Sequence, residues 1–257
     1  MRFGAQLYTV REFTQTHKDF AETIKKIAAI GYDCIQVSAI NPEIPAQEVA
    51  ETCQAYNLDI IISHVSPLKI IEETGQVIED HLAMKAKYIG VGSLPNGYSH
   101  DKKGYRKFIT DFIPAARAFK DAGFQLMYHN HHYEWEKFES KRAIEYLFEK
   151  FPEANFTLDT YWIQAAGGDP AYWIDKFKGR VDVIHLKDYA VVGGKRRMAE
   201  VMDGNLNWGA IFKASANAGV KFGMVEQDEC YGKDPFECLR ASLLNLKNGY
   251  NDLKHSK

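Results

Sequence analysis

Short apolar runs alternate with helical patterns along the whole chain, and that alternation limits the fold more than any other feature. Strands are expected at 3–8 (FGAQLY), 33–38 (DCIQVS), 58–63 (LDIIIS), 88–92 (YIGVG), 124–130 (FQLMYHN), 156–159, 181–186 and 220–226. Helices are expected over roughly 17–30, 45–56, 70–86, 105–121, 140–150, 170–177, 207–218 and 235–247. In the fourth of these, apolar residues at 105, 108, 109, 112, 113, 116 and 119 follow the 3.6-residue period. Pro114 interrupts it and predicts a kink or a split, because proline lacks the N–H that the helix ladder needs. Three junctions share one form, helix then glycine then strand: Ile30-Gly31-Tyr32, Ala122-Gly123-Phe124 and Ala218-Gly219-Val220. A glycine there supplies the left-handed residue that ends a helix. Asp169-Pro170 and Asp234-Pro235 are cap-plus-proline helix starts.

Nearly continuous apolar strands imply burial on both sheet faces, which means parallel pairing. Eight strand–helix units in a chain of 257 residues fit a single (β/α)8 TIM-barrel domain spanning 1–257. An open doubly wound sheet is the structural rival. No G-x-G-x-x-G follows the first strand, which argues against its dinucleotide-binding form. No linker or low-complexity segment divides the chain. The polar stretch 93–104 is a long loop, of the kind that is usually functional or mobile.

Charge narrows the classes of partner. The formal net charge is −2, with acids and bases interspersed, so neither nucleic-acid nor membrane-surface binding is expected. No apolar run approaches the 18 residues of a membrane span. The opening MRFGAQLYTV has no signal-peptide layout. Cys34, Cys53, Cys230 and Cys238 are scattered without a CxxC, as expected of reduced packing residues in a cytoplasmic protein.

In parallel α/β proteins the chemistry gathers at the C-terminal strand ends. Here the first strand offers Gln6 and Tyr8, then Arg11, and the third offers His64. The fifth offers His129, Asn130, His131 and His132, then Glu134. The sixth, seventh and eighth end at Asp159, His185 and Glu226, and Lys187 follows His185. Two carboxylates and an imidazole from adjacent strands suit a divalent ion: Mn2+, Mg2+, Co2+ or Zn2+. A fourth ligand should come from strand five, where alternation puts His129 and His131 on one side. Each residue also has a plain structural role open to it. Asp159 could cap the next helix, and His185 could be a hydrogen-bonded core residue. Glu226 is harder to explain without a cation or a basic partner, because an unpaired buried carboxylate is costly. Gln6, Tyr8, His64, Glu134, Trp162 and Lys187 are candidate substrate contacts. Trp135, Trp162 and Trp208 could wall a sugar by stacking or simply pack in the core. The run Gly193–Arg197 (GGKRR) is expected to be a solvated loop, or a contact for an anionic group.

The chain resembles the xylose isomerase-like barrel superfamily in its sugar phosphate isomerase/epimerase branch. The segments that carry the resemblance are QLYTVRE at 6–12, YHNHHYEWE at 128–136, TLDTYW at 157–162, VIHLKD at 183–188 and VEQDE at 225–229. It spans the whole chain and implies a divalent ion at the barrel mouth, with Asp159, His185 and Glu226 matching the family's metal positions. Family epimerases also place a glutamate on strand five, as ligand and as one of two acid/base carboxylates. His129 stands there in this chain, which makes it similar to the inosose dehydratase-like relatives.

The resemblance implies proton abstraction next to a carbonyl, with Glu226, His129 or His131 as base. Return of the proton gives an isomer or epimer; loss of a β-substituent gives an enone, the outcome of a lyase. The expected substrate is a small sugar or polyol, unphosphorylated because no glycine-rich phosphate cradle is present. A homo-oligomer is compatible with the sequence. A barrel endonuclease of the abasic-site type would need more His and Glu ligands and basic loops, against the net charge of −2. A sugar-binding barrel without catalysis is the third reading, and keeping Asp159, His185 and Glu226 speaks against it.

Overall fold

The computed structural model describes residues 1–255. Eight parallel strands close into a barrel: β1 Arg2–Gln6, β2 Cys34–Val37, β3 Asp59–His64, β4 Tyr88–Val91, β5 Gln125–His129, β6 Ala154–Asp159, β7 Val183–Leu186 and β8 Phe222–Val225. Each strand pairs with its neighbours in sequence, and β8 pairs back onto β1 through Arg2–Phe222 to Ala5–Val225. The helices lie between and around these strands. No helix among the described residues is long and apolar enough to cross a membrane.

Alternation along the strands decides what fills the barrel. Cys34, Ile62, Met127, Val183 and Met224 belong to one buried cluster inside it. Two residues further along the same strands stand Gln36, His64, His129, His185 and, just past β8, Glu226. A strand returns to the same face every second residue, so this polar set forms the layer above the apolar plug. Gly4 belongs to the apolar level: a Cβ there would come 2.5 Å from Met224 Sδ. Outside the strands, Phe20, Ile24 and Ile27 of α1 (His17–Ile30) are fully buried. So are Phe108, Phe112 and Phe119 of α5 (Lys102–Asp121), each contributing roughly 1.5–3 kcal/mol by burial.

The sequence reading needs correction in several places. The first strand stops at Gln6, and Leu7–Phe13 turns into 3-10 helix, with Gln6 Oε1 accepting from the Tyr8 N–H at 3.2 Å. The helix expected over 70–86 is two helices, α3 (Pro67–Glu72) and α4 (Thr74–Met84), breaking at Glu73. Pro114 neither splits nor ends α5. Pro114 and Thr110 both face solvent, so the carbonyl deprived of its donor can be hydrated. Between Asp159 and His185 lie two helices rather than one, α7 (Thr160–Ala165) and α8 (Pro170–Lys176). The helix expected from 140 starts at Ala143, behind the short hairpin of Lys137–Phe138 and Lys141–Arg142. Gly193 and Gly194, at φ 58° and 72°, make the turn of a hairpin, Asp188–Val192 against Lys195–Ala199, where a loop was expected.

Candidate metal centre

Four side chains from four adjacent strands converge above the apolar plug. His129, Asp159, His185 and Glu226 each bring one ligand-type atom, all within 4.8 Å of one another, and all four residues are buried. The register explains the convergence. Asp159 pairs directly with His185, and Glu226 follows Val225, the partner of Leu186. His185 Nδ1 lies 2.7 Å from Glu226 Oε2 and 3.7 Å from Asp159 Oδ2. His129 Nε2 lies 3.4 Å from the same Asp159 oxygen.

The ring nitrogens are assigned by what holds the other side of each imidazole. His129 Nδ1 sits 2.8 Å from the Gly92 carbonyl, which fixes it as donor and leaves Nε2 facing Asp159. His185 Nε2 sits 2.9 Å from Gln36 Oε1, which leaves Nδ1 facing the carboxylates. Asp159 divides its labour. Its Oδ1 accepts from the Trp162 N–H at 2.9 Å and caps α7, while Oδ2 faces the histidines. The helix-cap and ligand readings of Asp159 are therefore compatible. The Asp159 N–H is held by Asn130 Oδ1 at 2.9 Å.

Lys187 is 1% exposed and balances the carboxylates. Its Nζ lies 3.2 Å from Asp159 Oδ2, 2.9 Å from Glu226 Oε2 and 2.8 Å from Asp228 Oδ1. Burial alone would lower the Lys187 pKa, but Asp159, Glu226 and Asp228 outweigh it and raise it. Burial likewise opposes ionisation of Asp159 and Glu226, yet Lys187 and the histidines hold both below the usual carboxylate range. Burial lowers His185, and Glu226 with Asp159 more than reverses this, to about 9. His131 goes the other way, to about 3, through burial and the neighbouring His129 and Lys187.

Two imidazole nitrogens and two carboxylate oxygens match the donor set of a borderline or hard divalent ion, and their second contacts already orient them. A cavity of about 350 Å³ opens onto the centre, lined by Tyr8, Ser38, His64, Gly92, His129, His131, Lys187, Glu226 and Asp228 among others. A larger cavity of about 680 Å³ lies by Arg2 and Asp59, at the opposite ends of the strands, and among the described residues holds no such convergence.

Sequence reasoning thus brought His129, His131, Asp159, His185, Glu226, Lys187, His64 and Tyr8 to one mouth. Trp162 stands beside it, its indole 5.1 Å from the His131 ring and 5.5 Å from Lys187 Nζ, centroid distances in both cases. Two further expected contacts, Gln6 and Glu134, do not line the cavity itself, although Gln6, two residues past Gly4 and paired with Gln36, lies in the same polar layer. Gln6 is fully buried and caps the turn after β1. Glu134 is also fully buried; its oxygens take the Tyr128 hydroxyl at 2.5 Å and the His131 N–H at 2.8 Å. Sequence reasoning missed Gln36 and, while it placed Asp228 after Glu226 at the end of the eighth strand, gave it no role. A glutamine two residues after an inward cysteine was the available signal for the first, and the acidic run after Glu226 for the second.

The profile described as xylose isomerase-like TIM barrel matches residues 24–227. Solved structures share the fold over nearly the full length. A sugar phosphate isomerase/epimerase from Parabacteroides distasonis ATCC 8503 has TM-score 0.80 and 22% identity, covering 96% of this chain and 98% of that one. A D-allulose 3-epimerase from Methylomonas sp. has TM-score 0.72 and 14% identity, covering 96% and 97%. A probable 3-DHS dehydratase from Bacillus anthracis has TM-score 0.73 and 13% identity, covering 97% and 100%. No curated protein matches the sequence. The closed eight-strand barrel and the profile match over most of the chain lead to one assignment: the protein belongs to the xylose isomerase-like TIM barrel family.

Proposed function

We propose that this chain is a divalent-metal-dependent isomerase or epimerase of a sugar or keto-sugar, working by proton abstraction next to a carbonyl. The observation that carries the reading is the convergence of His129, Asp159, His185 and Glu226 beside a polar cavity of about 350 Å³. That size suits a small polyol. A bound ion would supply Lewis-acid stabilisation of the enediolate oxygen. Glu226 is held ionised and borders the cavity, so its base form is present at neutral pH. His131 is held neutral there and is the second group able to shuttle a proton. Lys187 presents a fixed positive charge to negative charge developing on the substrate.

A second reading follows from strand β5, which supplies an imidazole rather than a carboxylate. With one acidic ligand on the cavity wall, elimination is the natural competitor. Glu226 takes the α proton, the C–H electrons form a C=C bond, and the β-hydroxyl leaves as water once a cavity group has protonated it. The probable dehydratase with the same fold is consistent with it.

Two measurements test the proposal. Asp159→Asn and His185→Ala should each lose the divalent ion while keeping the fold; retention of both metal and activity sinks the site. Incubation of the metal-loaded protein in deuterated water with ketoses and 3-keto sugars should place deuterium next to the carbonyl. An ultraviolet-absorbing enone instead of exchange selects the lyase.

A further inference from the structure

The polar stretch 93–104 reaches the mouth of the barrel through the ring of Tyr133. His100 packs edge-on against that ring, 4.3 Å between centroids. The Ser93 hydroxyl and the Leu94 N–H both hydrogen-bond to its phenol oxygen. Tyr133 itself opens the short 3-10 turn Tyr133–Trp135, just past β5. Its hydroxyl lies 3.3 Å from His131 Nδ1, and the two rings stack 5.3 Å apart at an interplanar angle of 10°.

That contact has a direction. A backbone N–H can only donate, so the Leu94 amide takes up one lone pair of the Tyr133 oxygen. Ser93 has a proton of its own to give to the other. Tyr133 is left with one proton to donate, and His131 Nδ1 is the ring acceptor within its reach. The imidazole is held in that pose from several sides. His129 meets it edge-on at 4.9 Å, Trp162 lies 5.1 Å away, and Glu134 Oε2 accepts its backbone N–H at 2.8 Å. With Nδ1 accepting, the proton of the neutral ring sits on Nε2. His131 lines the cavity with Glu226 and Lys187, and Nε2 is the ring nitrogen that no hydrogen bond among the described residues occupies.

We propose that Tyr133 is a positioning residue that fixes His131 as its Nε2–H tautomer, so that the cavity meets a hydrogen-bond donor there and the base is Glu226 rather than His131. The inference rests on the isomerase or lyase reading above and deepens it. A neutral imidazole with its proton on Nε2 must give that proton before it can take one at the same nitrogen. His131 is therefore matched to a substrate oxygen, a carbonyl or a hydroxyl, and not to a C–H bond.

Nitrogen NMR of the histidine rings reads the tautomer directly, because protonated and bare ring nitrogens resonate far apart. The full chain is measured at neutral pH with Mg2+ present, an ion that is diamagnetic and leaves the spectrum sharp. His131→Gln identifies the His131 signals among those of the nine histidines. The parent should show Nε2 protonated and Nδ1 bare. Tyr133→Phe removes the hydroxyl and keeps the stacked ring, and the ratio of Nε2–H to Nδ1–H forms should fall by about two- to tenfold, the worth of one hydrogen bond. A role for Tyr133 confined to packing predicts the parental ratio in Tyr133→Phe, and that result overturns the proposal. So does a parent ring protonated at Nδ1, alone or together with Nε2, which is seen without any variant. The spectrum needs no substrate and reports the tautomer whether or not the ion binds. A chain that binds no divalent ion fails the metal-centre reading instead, so the two failures are distinguishable.

Discussion

Gln36 Oε1 accepts a hydrogen bond from His185 Nε2 across 2.9 Å, joining β2 to β7 through the barrel interior. Both residues are 0% exposed. The bond fixes which nitrogen of His185 carries the proton on the far side, and so presents Nδ1 to Asp159 and Glu226. Outer contacts of this kind typically contribute 10- to 100-fold to metal affinity. Gln36→Leu should therefore weaken divalent-ion binding by roughly that factor, with Gln36→Glu retaining most of it because a carboxylate accepts the same bond. Calorimetric titration of both variants decides; equal affinities in parent and Gln36→Leu would leave His185 oriented by packing alone.

Lys187 is the counter-charge of the centre in the metal-free chain. It touches Asp159, Glu226 and Asp228, while His185 serves the first two from the other side. Removing one partner of a buried ionic group leaves the rest uncompensated, at a cost of about 3–5 kcal/mol. Lys187→Met should lower the melting temperature of the metal-free protein markedly. Added divalent ion should restore more stability to the variant than to the parent, since it supplies the missing positive charge. Equal melting temperatures without metal would show that these carboxylates are protonated in the folded chain.

Proton uptake at His185 gives a pH dependence with a defined sign. Its pKa in the folded metal-free chain is raised to about 9, above the ordinary 6.5. The folded state therefore holds a proton that the unfolded state has lost between these values. The resulting stability is fully present below pH 6.5 and is lost as pH rises through 9. Metal binding must displace the same proton, so affinity should rise over that window and each ion bound should release about one proton. Calorimetry in buffers of different ionisation enthalpy reads the proton count. His131 acts in the opposite sense. Burial and His129 lower it to about 3, so its contribution is present above pH 6.5 and is lost as pH falls toward 3.

The parts of this site that could be read from the sequence are those set by strand alternation. Asp159, His185 and Glu226 each end an apolar run, and a parallel barrel brings such ends together whatever the loops do. The parts that could not be read depend on pairing across the barrel. Gln36 meets His185 from 149 residues away, and nothing local marks a glutamine in an apolar strand as its partner. Helix α7 was hidden because its cap is Asp159 itself, and one carboxylate serving two purposes has a single sequence signal. In the sequence Asp188 is one more polar residue after His185 at the end of the seventh strand. Its carboxylate instead gathers the Met202, Gly204 and Leu206 N–H groups and the Trp208 indole, fixing the connection into α9 (Trp208–Ala218). Glu134 was placed at the mouth by its nearness in sequence to His131, whereas its side chain turns inward to Tyr128.

That turn makes Glu134 a support for the cavity wall, which can be told apart from a substrate contact. Burial raises its pKa to about 7, and its two oxygens serve separate donors, the Tyr128 hydroxyl and the His131 N–H. Glu134→Gln keeps the shape but can accept through one oxygen only, turning an amide N–H toward the other donor. The cost should be about 1–3 kcal/mol, the usual penalty for a buried group left unsatisfied. Tyr128→Phe removes one donor and should cost a similar amount. Both variants should melt earlier, bind the divalent ion as the parent does, and lose turnover through displacement of His131. A direct substrate contact predicts the reverse for Glu134→Gln: an unchanged melting temperature and a raised KM. Thermal melts beside steady-state kinetics on the same preparations separate the two roles, and a Glu134→Gln protein of parental stability would return the residue to the substrate site.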